Sequence, residues 1–107
     1  MARTSSASDV FHAIADANRR TLLDEVAAGE TSVGDLVARV GLSYSAVSQH
    51  LAVLHQAGLV KRRERGRHRL YRLNSAPLHD VHTWVSRHER FWRTRLARLR
   101  RVLDEKG

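Results

Sequence analysis

A connection of only two residues, Gly41 and Leu42, separates two short amphipathic patterns and restricts how this chain can fold. The first pattern has apolar residues on one helical face: Leu36, Val37 and Val40. The second pattern, over residues 43–60, repeats its apolar residues at spacings of four and three: Val47, Leu51 and Leu54. Two short helices joined by a tight glycine turn are typical of a helix-turn-helix.

Both helices carry signals for their ends. Ser32 and Asp35 have the spacing of a capping box, with Asp in place of the preferred Glu, and Gly41 is expected to end the first helix. Ser43 is a suitable N-cap for the second helix, and Gly58 stands where a glycine in the left-handed conformation would end it. The polar edge of the second helix is therefore expected to face outward.

The outward edge of the second helix predicts a DNA recognition helix. Its side chains are short, uncharged and rich in donors and acceptors, so they can approach base pairs closely. We expect base contacts from Ser45, Gln49 and His50, and phosphate contacts from Ser43, Tyr44 and Ser48. A second interpretation remains open for His50, namely a half-buried ring bonded to the backbone.

The next segment changes from a helical to an alternating pattern around Arg65 and Gly66. Residues 59–65 and 67–73 predict a two-stranded hairpin with the glycine at its tip. The hairpin holds seven basic residues and one acid, and its tip cations are expected on phosphates: Arg65, Arg67 and Arg69. A helix-turn-helix followed directly by a basic hairpin predicts a winged helix.

The flanking residues complete one domain. Residues 1–7 are small and polar and predict a flexible arm. Residues 8–16 predict a first helix, and a second apolar pattern follows from Asn18. Residues 76–105 predict one long terminal helix. The expected fold is mainly α with a small β-hairpin, over residues 8–105, in the order of four helices, hairpin and fifth helix.

The terminal helix carries an apolar stripe at nearly heptad spacing, which one small domain cannot cover. We therefore predict a homodimer formed by helices 8–16 and 76–105 of two subunits. The expected interface residues are Phe11, Ile14, Val81, Trp84, Val85, Phe91, Trp92, Leu96 and Leu99. The alternative is that this aromatic helix binds a different protein.

Charge is distributed unevenly along the chain, whose formal net charge is +8. Residues 1–60 carry four Lys or Arg and six Asp or Glu, whereas residues 61–107 carry fifteen and five. This asymmetry indicates a polyanionic partner, although any one basic run can also be a solvated face. No cysteine is present, and no apolar run suits export or a membrane span. We expect a cytoplasmic, nucleoid-associated protein.

Several runs of residues resemble one known family. They are Ala17-Asn18-Arg19-Arg20, Val47-Ser48-Gln49-His50-Leu51 with Leu54, and Ala57-Gly58-Leu59-Val60 running on to Gly66 and Tyr71. Over residues 8–105 the chain resembles the ArsR family of bacterial winged-helix repressors. The resemblance implies a homodimer with five helices and a β-wing that binds operator DNA and represses transcription. The terminal run from Trp84 to Trp92 resembles a subgroup without the usual metal-sensing ligands.

The resemblance raises a metal-sensing alternative. One family site uses cysteines before the recognition helix, which this chain lacks. A second uses Asp-x-His and a later His-x-x-His pair; Asp80 and His82 match the first half, but Arg93 and Leu96 stand at the later positions. Side chains that could still form an improvised site are Asp80, His82, His88 and Glu89. We predict no metal and no other cofactor.

The sequence thus predicts a DNA-binding transcriptional regulator that represses by covering a promoter at an imperfect palindrome. Two alternatives remain open: a metal-responsive repressor and a sequence-indifferent basic nucleic-acid-binding protein. An enzyme is not predicted, because no nucleophile–base pair or phosphate loop accompanies the histidines of the terminal helix. The sequence predicts neither the operator nor the inducer.

Overall fold

The computed structural model describes residues 7–106 as a helical body with a three-stranded sheet. Its elements are α1 (Ala7–Ile14), α2 (Ala17–Ala28), β1 (Thr31–Ser32), α3 (Val33–Val40), α4 (Tyr44–Gln56), β2 (Val60–Arg65), β3 (His68–Leu73) and α5 (Leu78–Lys106). The predicted winged helix-turn-helix is confirmed. Of the predicted arm, residues 1–6 lie outside the described residues, and Ala7 is the first residue of α1.

The short strand β1 was not predicted. It pairs antiparallel with β3, with Thr31 opposite Tyr71 and Ser32 opposite Leu70, so the sheet order is β1-β3-β2. The buried Thr31 hydroxyl donates a hydrogen bond to the Gly29 carbonyl at 2.7 Å. A two-residue strand has too few residues to show an alternating pattern. Its pairing with β3 ties the base of the wing to the helix-turn-helix.

Most helix boundaries follow the local signals in the sequence. The hydroxyls of Ser32 and Ser43 accept hydrogen bonds from the N–H groups of Asp35 and Ala46, as expected of N-caps. Gly41 and Gly58 have positive φ angles of 70° and 77°, as predicted for left-handed residues at helix ends. The second helix begins one residue earlier than expected, because the Asp16 carboxylate caps it. The first ends at Ile14 rather than 16.

The core explains why the polar edge of α4 faces outward. The largest fully buried side chains come from helices α1 to α4 and from the segment before β2, and none of them comes from α5. They are Leu22, Leu36, Leu51, Leu54, Leu59, Val10 and Val47. Tyr71 on β3 is 4 % exposed and packs the wing against this core. Burying each large apolar side chain contributes about 1.5–3 kcal/mol. The apolar face of α4 is thereby fixed inward, as predicted.

Only the beginning of α5 packs against the body. Leu78 and Val81 lie against the core, and the Trp84 ring meets the edge of Phe11 on α1 with centroids 5.8 Å apart. Beyond this contact the apolar side chains of α5 are exposed. Within residues 7–106, no helix combines the length and apolarity needed to cross a membrane.

Candidate nucleic-acid interface

The exposed edge of α4 holds most of the predicted recognition residues. Tyr44 is 63 % exposed, Ser45 and Gln49 are exposed, and Ser48 is half-buried beside them. Ser43 precedes them, with its hydroxyl engaged in the N-cap. Three further side chains extend the same edge and were missed: Ala52, His55 and Gln56. The helical spacing of four and three from Ser45 onward would have located them.

His50 lies off this edge, and its role as a base reader stays a prediction. A helix turns about 100° per residue, which rotates His50 away from Gln49 toward α1 and α2. The ring is half-buried, and its Nδ1 lies 3.4 Å from a guanidinium nitrogen of Arg19. The alternative for His50 was a half-buried ring bonded to the backbone. The ring is half-buried, but its contact is with the Arg19 side chain.

The wing presents different residues on its two faces. Strands β2 and β3 pair in register from Val60 opposite Leu73 to Arg65 opposite His68. Because Val60 and Tyr71 are buried, the face that they share with Arg62, Glu64 and Arg69 lies toward the helices. The opposite face carries Lys61, Arg63, Arg65 and Arg72. Gly66 forms the tip with a φ angle of 61°, as predicted.

Ion pairs divide the cations of the wing. The guanidinium of Arg63 donates two hydrogen bonds to the Glu30 carboxylate, at 2.9 and 2.6 Å. This pairing lowers the pKa of Glu30 and raises the pKa of Arg63. Arg69 lies 3.6 Å from the carboxylate of Glu64.

The predicted tip cations are therefore not equivalent. Arg65 and Arg67 are exposed, and in the described part of the chain neither has a carboxylate within 4 Å, whereas Arg69 shares its charge with Glu64. Exposed cations without a carboxylate partner keep their full charge for a polyanion. Arg65 and Arg67 are thus the stronger candidates for phosphate contact.

An open groove runs between the start of α4 and the wing. Its volume is about 470 Å³, and it is lined by Ser32, Val33, Gly34, Tyr44, Glu64, Gly66, Arg67, His68 and Arg69. Ser32, Gly34 and His68 were not among the predicted site residues, because only the folded chain brings the start of α3 and the wing near Tyr44. The groove joins the recognition edge to the wing tip, so both can meet one stretch of nucleic acid.

His55 adds a titratable group to the end of the recognition edge. Partial burial of the ring lowers the pKa of His55, and the positive charge of Arg62 on β2 lowers it further. Both effects favour the neutral imidazole. No Lys or Arg lies between Tyr44 and Gln56, so the recognition edge holds no permanent positive charge.

The predicted interface residues separate into two groups. Ile14 and Val81 pack against the chain's own core, and Phe11 and Trp84 contact each other. The remaining members are about half exposed or more: Val85 46 %, Phe91 53 %, Trp92 59 %, Leu96 58 % and Leu99 55 %. Leu103, at 61 %, extends this group along the same stripe. These six side chains form the open apolar stripe of α5.

Comparison with known proteins places the chain in a family. The family model described as "Bacterial regulatory protein, arsR family" matches residues 16–62. The HTH-type transcriptional regulator Rv2034 of Mycobacterium tuberculosis is 35 % identical over 107 residues, which is 100 % of this chain and 97 % of that protein. The chain belongs to the ArsR family. It is accordingly a DNA-binding transcriptional regulator with a winged helix-turn-helix.

Other ArsR-like proteins match over most of their length. The transcriptional repressor SdpR of Bacillus subtilis is 33 % identical over 73 % of this chain and 87 % of its own. An ArsR-like transcriptional regulator from Rhodococcus sp. RHA1 superposes with a TM-score of 0.72 at 30 % identity, covering 92 % of this chain and 90 % of that one. These relatives have regulatory rather than enzymatic names.

The candidate metal ligands of this ArsR-family chain have other contacts. His88 Nδ1 lies 3.0 Å from the Trp84 carbonyl, and His82 Nε2 lies 3.4 Å from the Ser86 hydroxyl. Glu89 pairs with Arg93. Among the described residues, no three His, Asp or Glu side chains, Asp80 included, are grouped so that they could hold an ion.

Proposed function

We propose that this ArsR-family regulator is a homodimeric repressor that covers a promoter by binding an imperfect palindrome. The observation that carries the proposal is the uncharged, exposed edge of α4 beside a wing with Arg65 and Arg67 at its tip. Such an edge suits hydrogen bonding to bases, and such a tip suits phosphates. The two therefore divide the tasks of specificity and positioning.

The recognition edge would enter the major groove with its N-terminal residues at the base edges. Gln49 can pair with adenine through two hydrogen bonds, and Ser45 can adapt to either kind of base. Ser43, Tyr44 and Ser48 would contact phosphates around this site. On the wing, Arg65 and Arg67 would follow the backbone or reach the adjacent minor groove, with Arg69 in a supporting position.

A second copy of the chain would cover the open apolar stripe of α5. Its six side chains are 46–61 % exposed in the single chain, so pairing two stripes removes a large apolar area from water. Burying the exposed half of each side chain would contribute about 1 kcal/mol. A dimer formed in this way would present two copies of α4 to successive major grooves, about one helical turn apart.

The uncharged recognition edge favours sequence-specific binding over indifferent coating of nucleic acid. A coating protein relies on Lys and Arg contacts with phosphates, which carry no sequence information. In this chain most of the Lys and Arg residues lie on the wing and α5, and α4 has none. A regulator that binds chromosomal DNA in this way would lie on the nucleoid, in the cytoplasm.

Repression by covering a promoter is the proposed outcome of binding. Relatives of the chain include a transcriptional repressor, SdpR, and a protein named as a transcriptional activator, HlyU of Vibrio cholerae. Repression requires only occupancy of the promoter, and the groove and wing of this chain supply the means for it. A promoter carrying the operator should therefore be transcribed less as protein is added.

Selection of bound fragments from the genome that encodes the chain tests the proposal. The recovered sequence and a scrambled duplex of equal length are then titrated at several salt concentrations. We expect operator binding to be about 10³-fold tighter or more than scrambled binding, with both weakening as salt rises. Equal affinity for the two duplexes would contradict the proposal and support the sequence-indifferent alternative.

A further inference from the structure

Arg19 lies where three helices meet. Its Nε donates a hydrogen bond to the Ala13 carbonyl at 2.7 Å, and one terminal nitrogen donates to the His12 carbonyl at 3.2 Å. The last carbonyls of a helix have no partner within the helix, so these bonds cap the C-terminus of α1. The side chain is only 13 % exposed, and the Asp16 carboxylate lies 3.9 Å away.

The remaining guanidinium nitrogen of Arg19 faces the recognition helix, with His50 Nδ1 at 3.4 Å. A guanidinium can only donate hydrogen bonds, so Nδ1 must accept and carry no proton. One arginine thus connects the end of α1 with the middle of α4, across 31 positions in sequence.

The contact acts on the rotation of α4 about its axis. His50 is next to Gln49 in sequence but about 100° from it around the helix. The buried face of α4 fixes its overall orientation, and holding the His50 side toward α1 further restrains the direction in which the Gln49 edge points. On its other side α1 contacts α5 through Phe11 and Trp84, so the helix carrying the apolar stripe and the recognition helix are both fixed to α1.

We propose that Arg19 is a positioning residue for operator recognition, and that His50 serves as its contact on α4 instead of reading base edges. The proposal rests on the proposed DNA-binding function and adds to it the residues that orient the reading helix. It assigns a role to two side chains that lie off the recognition edge.

Two substitutions of His50 separate the two roles of this residue. Asn places a polar atom near the position of Nδ1, which faces Arg19, whereas Gln reaches toward the position of Nε2, the atom that a base-reading histidine would extend. We expect His50→Asn to bind operator within about threefold of the wild type. His50→Gln and His50→Ala should bind about tenfold more weakly, the range for one hydrogen bond to a charged group.

The opposite order, with His50→Gln close to wild type and His50→Asn weak, would overturn the proposal in favour of base reading. Equal behaviour of the Asn and Gln variants would overturn it as well, because the position of the acceptor would then not matter. Denaturant unfolding of each variant identifies a temperature at which all are fully folded, and the titrations are made there.

A double-mutant cycle tests whether Arg19 acts through His50. Arg19→Lys keeps the charge but removes the fork that reaches two carbonyls and the ring. We expect the double variant Arg19→Lys/His50→Ala to bind operator no more weakly than the weaker single variant, with scrambled-duplex affinity and salt slope unchanged. A merely structural role would weaken both duplexes together. Additive losses would overturn the proposal.

Failure of the positioning role can be distinguished from failure of the proposed function. A wild-type chain that prefers no DNA sequence would overturn both. A wild-type chain that prefers its operator, with additive losses in the cycle or no advantage of Asn over Gln, would overturn the positioning role alone. The same cycle measured on unfolding without DNA should also be non-additive, since the contact is present in the free chain.

Discussion

Gln49 is the side chain whose loss should most directly affect sequence reading. It is exposed on the second turn of α4, where a recognition helix meets base edges. Changing Gln49 to Ala should reduce discrimination between operator and scrambled duplex by about 1–3 kcal/mol. The measurement is the ratio of the two affinities at one salt concentration.

Gln56 provides the matched control for this prediction. It is the only other glutamine of the chain and lies on the same edge, but at the C-terminal end of α4. Gln56→Ala should lower the affinity ratio much less than Gln49→Ala, because the N-terminal residues of a recognition helix contact the base edges. Equal losses on both duplexes for Gln49→Ala would show that this glutamine does not read bases.

Glu30 should make the stability of the free chain depend on acid pH. Arg63 lowers the pKa of this carboxyl in the folded chain, so the pair stabilises the fold above the ordinary carboxyl range. The contribution is lost as the pH falls through the lowered pKa. Glu30→Gln should therefore show a shallower loss of stability below about pH 4 than the wild type.

Thermal unfolding over a pH series measures this effect, and Arg63→Gln is its matched variant. Removing either partner should reduce the loss of stability over the same acidic pH range. The double variant should reduce this loss no further. If Glu30→Gln lost stability as steeply as the wild type at acidic pH, the ion pair would not contribute to the pH dependence of stability.

At the scale of elements, the helix ends could be predicted from the sequence, because they depend on neighbouring residues. Ser32, Gly41, Ser43 and Gly58 mark helix ends through local hydrogen bonds and backbone angles, and each does so in the structure. Strand β1 was missed because a two-residue strand is defined only by its distant partner β3. Local signals are readable in sequence, whereas pairing between distant segments requires the fold.

The same distinction applies to the interface. The polar edge of α4 follows from helical spacing, so Ser45 and Gln49 were placed correctly on it. His50 is polar and adjacent, but its ring lies beside Arg19, 31 positions away. The pairing of Arg63 with Glu30, 33 positions away, likewise could not be read from the run of arginines. Polarity alone did not distinguish a contact within the fold from a contact with a partner.

The wing should contribute affinity without specificity. Arg67 is exposed beside Gly66 at the tip, where it can approach a phosphate. Arg67→Ala should weaken binding to operator and scrambled duplex alike and reduce the slope of affinity against salt by about one unit. Arg90→Ala, which removes an exposed charge from α5 instead, should leave the slope nearly unchanged. An unaltered slope for Arg67→Ala would place the tip away from the DNA.

For the whole molecule, the open stripe of α5 should determine the oligomeric state. Trp92 is 59 % exposed within the stripe, so a glutamate there would have to be buried between two subunits. Trp92→Glu should give a single chain in analytical ultracentrifugation and lose most operator binding, because one subunit reads only half of a palindrome.

Arg101→Glu is the matched control for the dimer. Nine residues separate it from Trp92, which places it on the opposite side of α5. This variant should remain a dimer and keep its operator preference. A Trp92→Glu variant that stays dimeric would place the subunit contact elsewhere on the molecule.

The most direct test of the account is the mass of the protein bound to its operator. Analytical ultracentrifugation of a labelled operator duplex, titrated with the full chain, gives both the number of chains bound and the preference over scrambled duplex. We expect two chains on one operator and a preference of about 10³-fold or more. One chain per operator, or equal occupancy of both duplexes, would contradict it.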